Sequence, residues 1–159
     1  MRIEVSRDVF RLAQVFTISR GSRTEAQVLT VRITDGGVTG WGECVPYARY
    51  GETLETVTAE IEALRGPLTR DALYDLLPAG AARNAVDCAL WDLQAKQAGK
   101  PVWELAGLAR PGPEITAFTL SLDSPEKMRE QAALHAHRPL LKIKLGTPDD
   151  MPRLEAVRA

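Results

Sequence analysis

Cysteine is nearly absent. Cys44 and Cys88 are the only two in 159 residues, too few for a disulfide framework and without CxxC spacing, so both are expected as buried thiols of a reducing compartment. A charge of one sign is missing too. With 20 Lys+Arg against 21 Asp+Glu the net charge is −1, which leaves no global field to draw nucleic acid or an anionic membrane surface, and neither is expected as a partner. Every apolar stretch falls far short of the ~20 residues that cross a bilayer. Near the N-terminus Glu4, Arg7 and Asp8 interrupt any apolar run, so that segment does not read as a signal peptide. These absences describe a globular, cytoplasmic chain, 45% hydrophobic and 26% charged, with room for one domain and the start of a second.

What is present is a change of hydrophobic period along the chain. Ile3 and Val5 alternate with polar neighbours, the period of a half-buried strand. Leu29–Thr34 alternates again, runs into Asp35-Gly36-Gly37 and leaves through Val38–Glu43, a hairpin signature. Between them Thr17–Thr24 is small, polar and basic and reads as a mobile loop. After the 47–52 loop the period becomes helical. Leu54, Val57, Ile61 and Leu64 follow a Thr53 cap and stop at Gly66-Pro67, and a shorter helix is expected from Arg70 to Leu77 behind Thr69. Ala82, Ala85, Val86, Ala89, Leu90 and Leu93 then line one face of a helix over 81–98, ended by Gly99 and Pro101. Meander plus helices make an α+β domain. Past the linker Arg110-Pro111-Gly112-Pro113 come a strand at 115–122, a helix from Pro125 to about His137, an apolar strand at 140–145 and a last helix from Asp149 or Asp150. Strand, helix, strand, helix is the grammar of a parallel α/β unit.

Few residues carry chemistry by pattern alone. Lys142 and Lys144, two apart on an apolar strand, share a face opposite Leu141, Ile143 and Leu145. Inside a barrel or sheet their mutual repulsion would ready one to act as a general base; on an edge strand the same pair would be an aggregation guard. Arg20 and Arg23 on the polar loop could receive a carboxylate bidentately, or be plain solvated arginines. Asp87 and Asp92, five apart on a helix, cannot form a carboxylate pair. His135 and His137 lack helical metal-ligand spacing and read as surface residues. Trp41, Trp91 and Trp103 read as core packing.

The run Ala81–Lys96 continuing through Gly99–Gly107, with the loops Ile18–Ala26 and Gly42–Glu52 and the Lys142-Ile143-Lys144 triplet, resembles the muconate-lactonizing branch of the enolase superfamily, and within it the dipeptide epimerases acting on L-Ala-D/L-Glu. The resemblance implies an α+β capping domain, antiparallel meander plus helical bundle, over 1–110, followed by the first βα units of a (β/α) barrel over 111–159. It implies a Mg²⁺-dependent epimerase in which the metal binds the substrate carboxylate and stabilises the enediolate left by α-proton removal. By the same match Lys144 is the acid/base on one face and Lys142 sets its charge state and touches the carboxylate. Arg20 or Arg23 engages the glutamyl side chain, and Tyr50 and Thr119 border the substrate. The metal ligands and a second base are expected on strands beyond Ala159, so the chain alone is expected to hold no Mg²⁺ and to be inactive. The parent is expected to be a cytoplasmic homo-oligomer taking a small acidic dipeptide from murein catabolism. A cycloisomerase or succinylbenzoate-synthase-like enzyme of the same fold, or a non-catalytic binding module lacking the barrel, are the alternatives.

Overall fold

The computed structural model describes residues 1–148 and 150–159, so Asp149, one of the two expected helix starts, lies outside the described residues. The chain divides into two compact units, one of residues 1–9 and 27–111, the other of residues 10–26 and 112–159. No described helix is long and apolar enough to cross a membrane.

The first unit is built on a three-stranded sheet ordered β1 (Arg2–Ile18), β2 (Gly21–Asp35) and β3 (Val38–Cys44). β2 and β3 are antiparallel, with Leu29 opposite Cys44 and Asp35 opposite Val38. Gly36 and Gly37 turn the chain at φ +56° and +81°, the doubly left-handed turn whose twist suits a two-residue hairpin and which residues with a Cβ resist. Helices α1 (Leu54–Ala63), α2 (Arg70–Leu76) and α3 (Ala81–Ala98) follow, then the single turn α4 (Val102–Leu105). Thr53 and Thr56 form a reciprocal capping box on α1, Thr69 caps α2, and Gly99 ends α3 in the left-handed conformation, as the cap residues predict. Leu29, Val31 and Ile33 from β2 meet Val57, Ile61, Leu73, Val86, Leu90 and Leu93 in one core.

α3 lies unusually close on β3. A Cβ at Gly40 would sit 2.1 Å from the Ala89 carbonyl oxygen, and one at Gly42 2.0 Å from that of Ala85, so only glycine admits the helix at this distance. Three α3 side chains then satisfy the backbone of β3 on the side away from β2. Lys96 Nζ donates to Thr39 O at 3.0 Å, Asp92 Oδ2 accepts from the Trp41 N–H at 2.8 Å, and Asn84 Nδ2 donates to Glu43 O at 3.3 Å. A strand edge that could recruit another chain is thereby closed within the unit.

The second unit holds the outer part of the β1–β2 hairpin together with β4 (Phe118–Leu120), α5 (Pro125–Leu134), β5 (Leu141–Ile143) and α6 (Asp150–Arg158). β4 and β5 are parallel, with Phe118 opposite Leu141 and Leu120 opposite Ile143. Ser124 caps α5 with Pro125 in its first turn. The Asp150 carboxylate accepts from the backbone N–H groups of Gly146 and Thr147 at 2.7 Å and 3.2 Å, gathering the turn before α6.

Several expectations are corrected. Thr17–Thr24 is no mobile loop: β1 runs to Ile18, Ser19 and Arg20 turn the chain, and β2 starts at Gly21, with the Thr17 and Ser22 hydroxyls 2.9 Å apart across the turn. Polar residues on both faces erased the alternation that marks a strand. Trp41 is 50% exposed rather than core, because the inward positions beside it are Gly40 and Gly42, and Cys88 is exposed. α5 ends at Leu134, one turn short of His137, and β4 and β5 are three residues each.

Candidate functional site

The hairpin tip, the end of β4 and the end of β5 come together within the second unit. The Thr17 N–H donates to Ser121 Oγ at 2.7 Å, Ser121 Oγ donates to Val15 O at 3.3 Å, and the Leu122 N–H donates to Thr17 O at 3.0 Å. These bonds fasten the end of β1, which leads into the turn bearing Arg20 with Arg23 just beyond it, to the residues two and three past Thr119. On the neighbouring strand Thr119 stands opposite Lys142 in the ladder. Lys142 is exposed, while Lys144, just past the last ladder residue, is half-buried. Two residues on, Gly146 at φ +131° approaches the hairpin turn so closely that a Cβ there would lie 2.9 Å from the Ser19 Cβ. Arginine-bearing turn, threonine strand and lysine strand thus share one neighbourhood, assembled by backbone and hydroxyl hydrogen bonds. Ser121, which makes these ties, and Ser19, which Gly146 approaches, carry no sequence signal beyond being small and polar.

Tyr50 belongs to the first unit. It ends a short 3-10 turn, Ala48–Tyr50, closed by Gly51 at φ +77°, and is 77% exposed, with its ring centroid 5.6 Å from that of Tyr47. The turn borders an open cleft of about 300 Å³, lined also by Cys44, Glu52, Ala81 and Asn84. Burial first, then the charges of Glu52, Glu43 and Cys88, push the Cys44 thiol up to about 11, so it is no nucleophile near neutral pH. Glu52 carries no sequence pattern of its own; the available signal is Gly80, a helix start that cannot cap itself.

Of the other sequence candidates, Asp92 pairs with Lys96 at 2.6 Å and holds the Trp41 N–H. His135 is half-buried at the end of α5, its ring centroid 4.0 Å from that of Phe118, and His137 is exposed. Among the described residues no group of three or more His, Cys, Asp or Glu is placed to hold a metal ion. The described residues do not fit a magnesium centre.

Residues 2–107 match the family model described as "Mandelate racemase / muconate lactonizing enzyme, N-terminal domain". The L-Ala-D/L-Glu epimerase of Escherichia coli K12 is 41% identical over 98% of this chain and 50% of its own length. Among solved structures, an enolase family member from Agrobacterium tumefaciens with homology to dipeptide epimerases, holding sodium and L-Ala-L-Glu, is 52% identical with a TM-score of 0.93, over 98% of this chain and 49% of its own. The dipeptide epimerase of Enterococcus faecalis, complexed with Mg and L-Leu-L-Tyr, is 30% identical with a TM-score of 0.85, over 98% of this chain and 49% of its own. The chain therefore spans about half the length of the relatives it matches. It belongs to the mandelate racemase / muconate lactonizing enzyme family of the enolase superfamily, whose N-terminal domain it carries over residues 2–107.

Proposed function

We propose that this chain serves as the N-terminal half of a Mg²⁺-dependent dipeptide epimerase of the L-Ala-D/L-Glu type, with residues 1–110 as its capping domain and 111–159 as the start of its barrel. Lys144 takes the α-proton of the C-terminal residue of the dipeptide; the C–H electron pair moves into the carboxylate to give an enediolate, and a proton returned on the opposite face completes the inversion. Lys142 touches the carboxylate. Arg20 or Arg23 receives the acidic side chain, Thr119 borders it, and Tyr50 is a further substrate-binding residue. The metal and the second base are supplied by residues other than these 159. A cytoplasmic homo-oligomer acting on murein-derived dipeptides completes the reading.

The observation that supports it most is the fastening of the Arg20 turn to the residues just past Thr119, with the chain beyond Lys144 packed on Ser19. An acid-recognising cation and a basic amine on one small scaffold suit proton abstraction next to a carboxylate better than they suit a non-catalytic module. The test is Lys144→Ala in the full-length parent. Incorporation of solvent deuterium at the α-carbon should be lost from one epimer of L-Ala-Glu, by at least about 10³-fold, the order expected of a missing general base. Exchange surviving from both epimers would show that Lys144 has another role.

A further inference from the structure

Helix α3, 18 residues long, begins behind Gly80, which offers no side-chain cap. Its first N–H groups need an acceptor all the same. One is Glu52, from outside the helix: Glu52 Oε1 accepts from the Ala81 N–H at 2.7 Å, and Glu52 Oε2 accepts from the Tyr47 N–H at 3.0 Å. A single carboxylate thus closes the 47–52 segment on itself and pins it to the positive end of the helix, where an anion is favoured. Gly80 keeps the approach open, since a Cβ there would lie 2.8 Å from Glu52 Oε1.

Inside the closed segment the Tyr50 N–H donates to Tyr47 O at 2.8 Å and the Gly51 N–H to Ala48 O at 3.0 Å. Tyr50 itself is 77% exposed, so little packing holds its ring in place. Its location is inherited from the backbone of the turn, and that backbone is tied to the helix through Glu52. The end of β3 that leads into the segment is registered separately, by Asn84 donating to Glu43 O at 3.3 Å.

We propose that Glu52 is a positioning residue. By holding Tyr47 and Ala81 with one carboxylate it presets the Ala48–Tyr50 turn, so that Tyr50 meets the dipeptide without first having to be ordered. This rests on the reading of Tyr50 as a substrate-binding residue, and the test separates the two claims. In the 159-residue chain, amide exchange followed by NMR should quicken about tenfold or more at both Tyr47 and Ala81 in Glu52→Ala, with Val31 unchanged. Glu52→Gln keeps the volume but only one acceptor oxygen, so at least one of the two amides should quicken; should Glu52→Ala also lose protection at Val31, this variant decides. Unchanged exchange at both amides overturns the clamp. In the full-length parent Glu52→Gln should raise KM for the dipeptide about tenfold while kcat stays within about threefold, the mark of a lost preset binding geometry. A fall in kcat with KM unmoved overturns the positioning role. If the unaltered parent epimerises no dipeptide, the functional reading falls, and amide exchange still decides the clamp.

Discussion

The two units solve the same problem, a sheet with exposed edges, in different ways. The first buries Leu29, Val31, Ile33, Ile61 and Val86 almost completely and covers the edge of β3 with side chains of α3. The second buries Leu120, Leu122, Met128, Ala132 and Ala156, but leaves Ile115 and Leu134 68% and 63% exposed and pairs its parallel strands over three positions only. Parallel sheets are stable when wide and covered on both faces. The contrast teaches that the family's helical signature does a structural job. Gly40 and Gly42 let α3 approach, Asn84, Asp92 and Lys96 finish the strand, and the unit is left with no sheet edge that depends on a neighbour at β3.

The largest expected effect is therefore a difference in local stability. Amides of Phe118–Leu120 and Leu141–Ile143 should exchange about 10³-fold faster than those of Val31 and Ile33, equivalent to about 4 kcal/mol of opening free energy. Hydrogen exchange resolved to single residues measures it. Equal protection in both places would break the comparison, because it would mean that the β4–β5 ladder has completed a core of its own.

Next in size is the close approach of α3 to β3. Gly42→Ala brings a methyl group to 2.0 Å from the Ala85 carbonyl oxygen, and since the obstacle is backbone rather than a flexible side chain, the helix must move. A loss of about 3 kcal/mol, the upper end for overpacking, is expected in denaturant unfolding. Gly112→Ala is the control, because nothing lies within 4 Å of a Cβ there and its φ is not in the left-handed region. A small effect at Gly42 equal to that at Gly112 would show that the seam is loose.

Sequence reading succeeds where the structure is local and fails where it is tertiary. The bounds of α3 follow from an apolar face of Ala82, Ala85, Val86, Ala89, Leu90 and Leu93 ended by Gly99, and the Gly36-Gly37 turn follows from its own chemistry. The strand character of Thr17–Thr24 was hidden because neither face of that stretch is apolar, so no period survives to be read. Glu52 and Asn84 look like ordinary surface residues until the chain folds, since the Ala81 N–H that Glu52 accepts from and the Glu43 carbonyl that Asn84 donates to lie 29 and 41 positions away. The same holds at the site. Lys142, Lys144, Arg20, Arg23, Tyr50 and Thr119 could be picked out by resemblance, but not the hydroxyl of Ser121 that ties the hairpin turn to the end of β4 across 104 positions.

The smallest effect concerns Asp92, where one carboxylate makes two separable contributions. It is ion-paired with Lys96 at 2.6 Å and also accepts the Trp41 N–H at 2.8 Å. The ion pair is a partly exposed i,i+4 pair, worth only a few tenths of a kcal/mol after screening. The backbone bond has a different character. Without it the Trp41 N–H, on the side of β3 away from β2, loses its acceptor, so Asp92→Ala should cost about 1 kcal/mol. Asp92→Asn keeps an acceptor oxygen for that N–H while discarding the charge, and should cost about 0.5 kcal/mol or less. Denaturant unfolding at low and high salt distinguishes the two: the Asn variant should approach wild type as salt is raised, whereas the Ala variant should stay below it. If both variants converge on wild type at high salt, the seam is held at this point by charge rather than by the strand-edge hydrogen bond, and only Asn84 and Lys96 remain to close the edge of β3 from the polar face of α3.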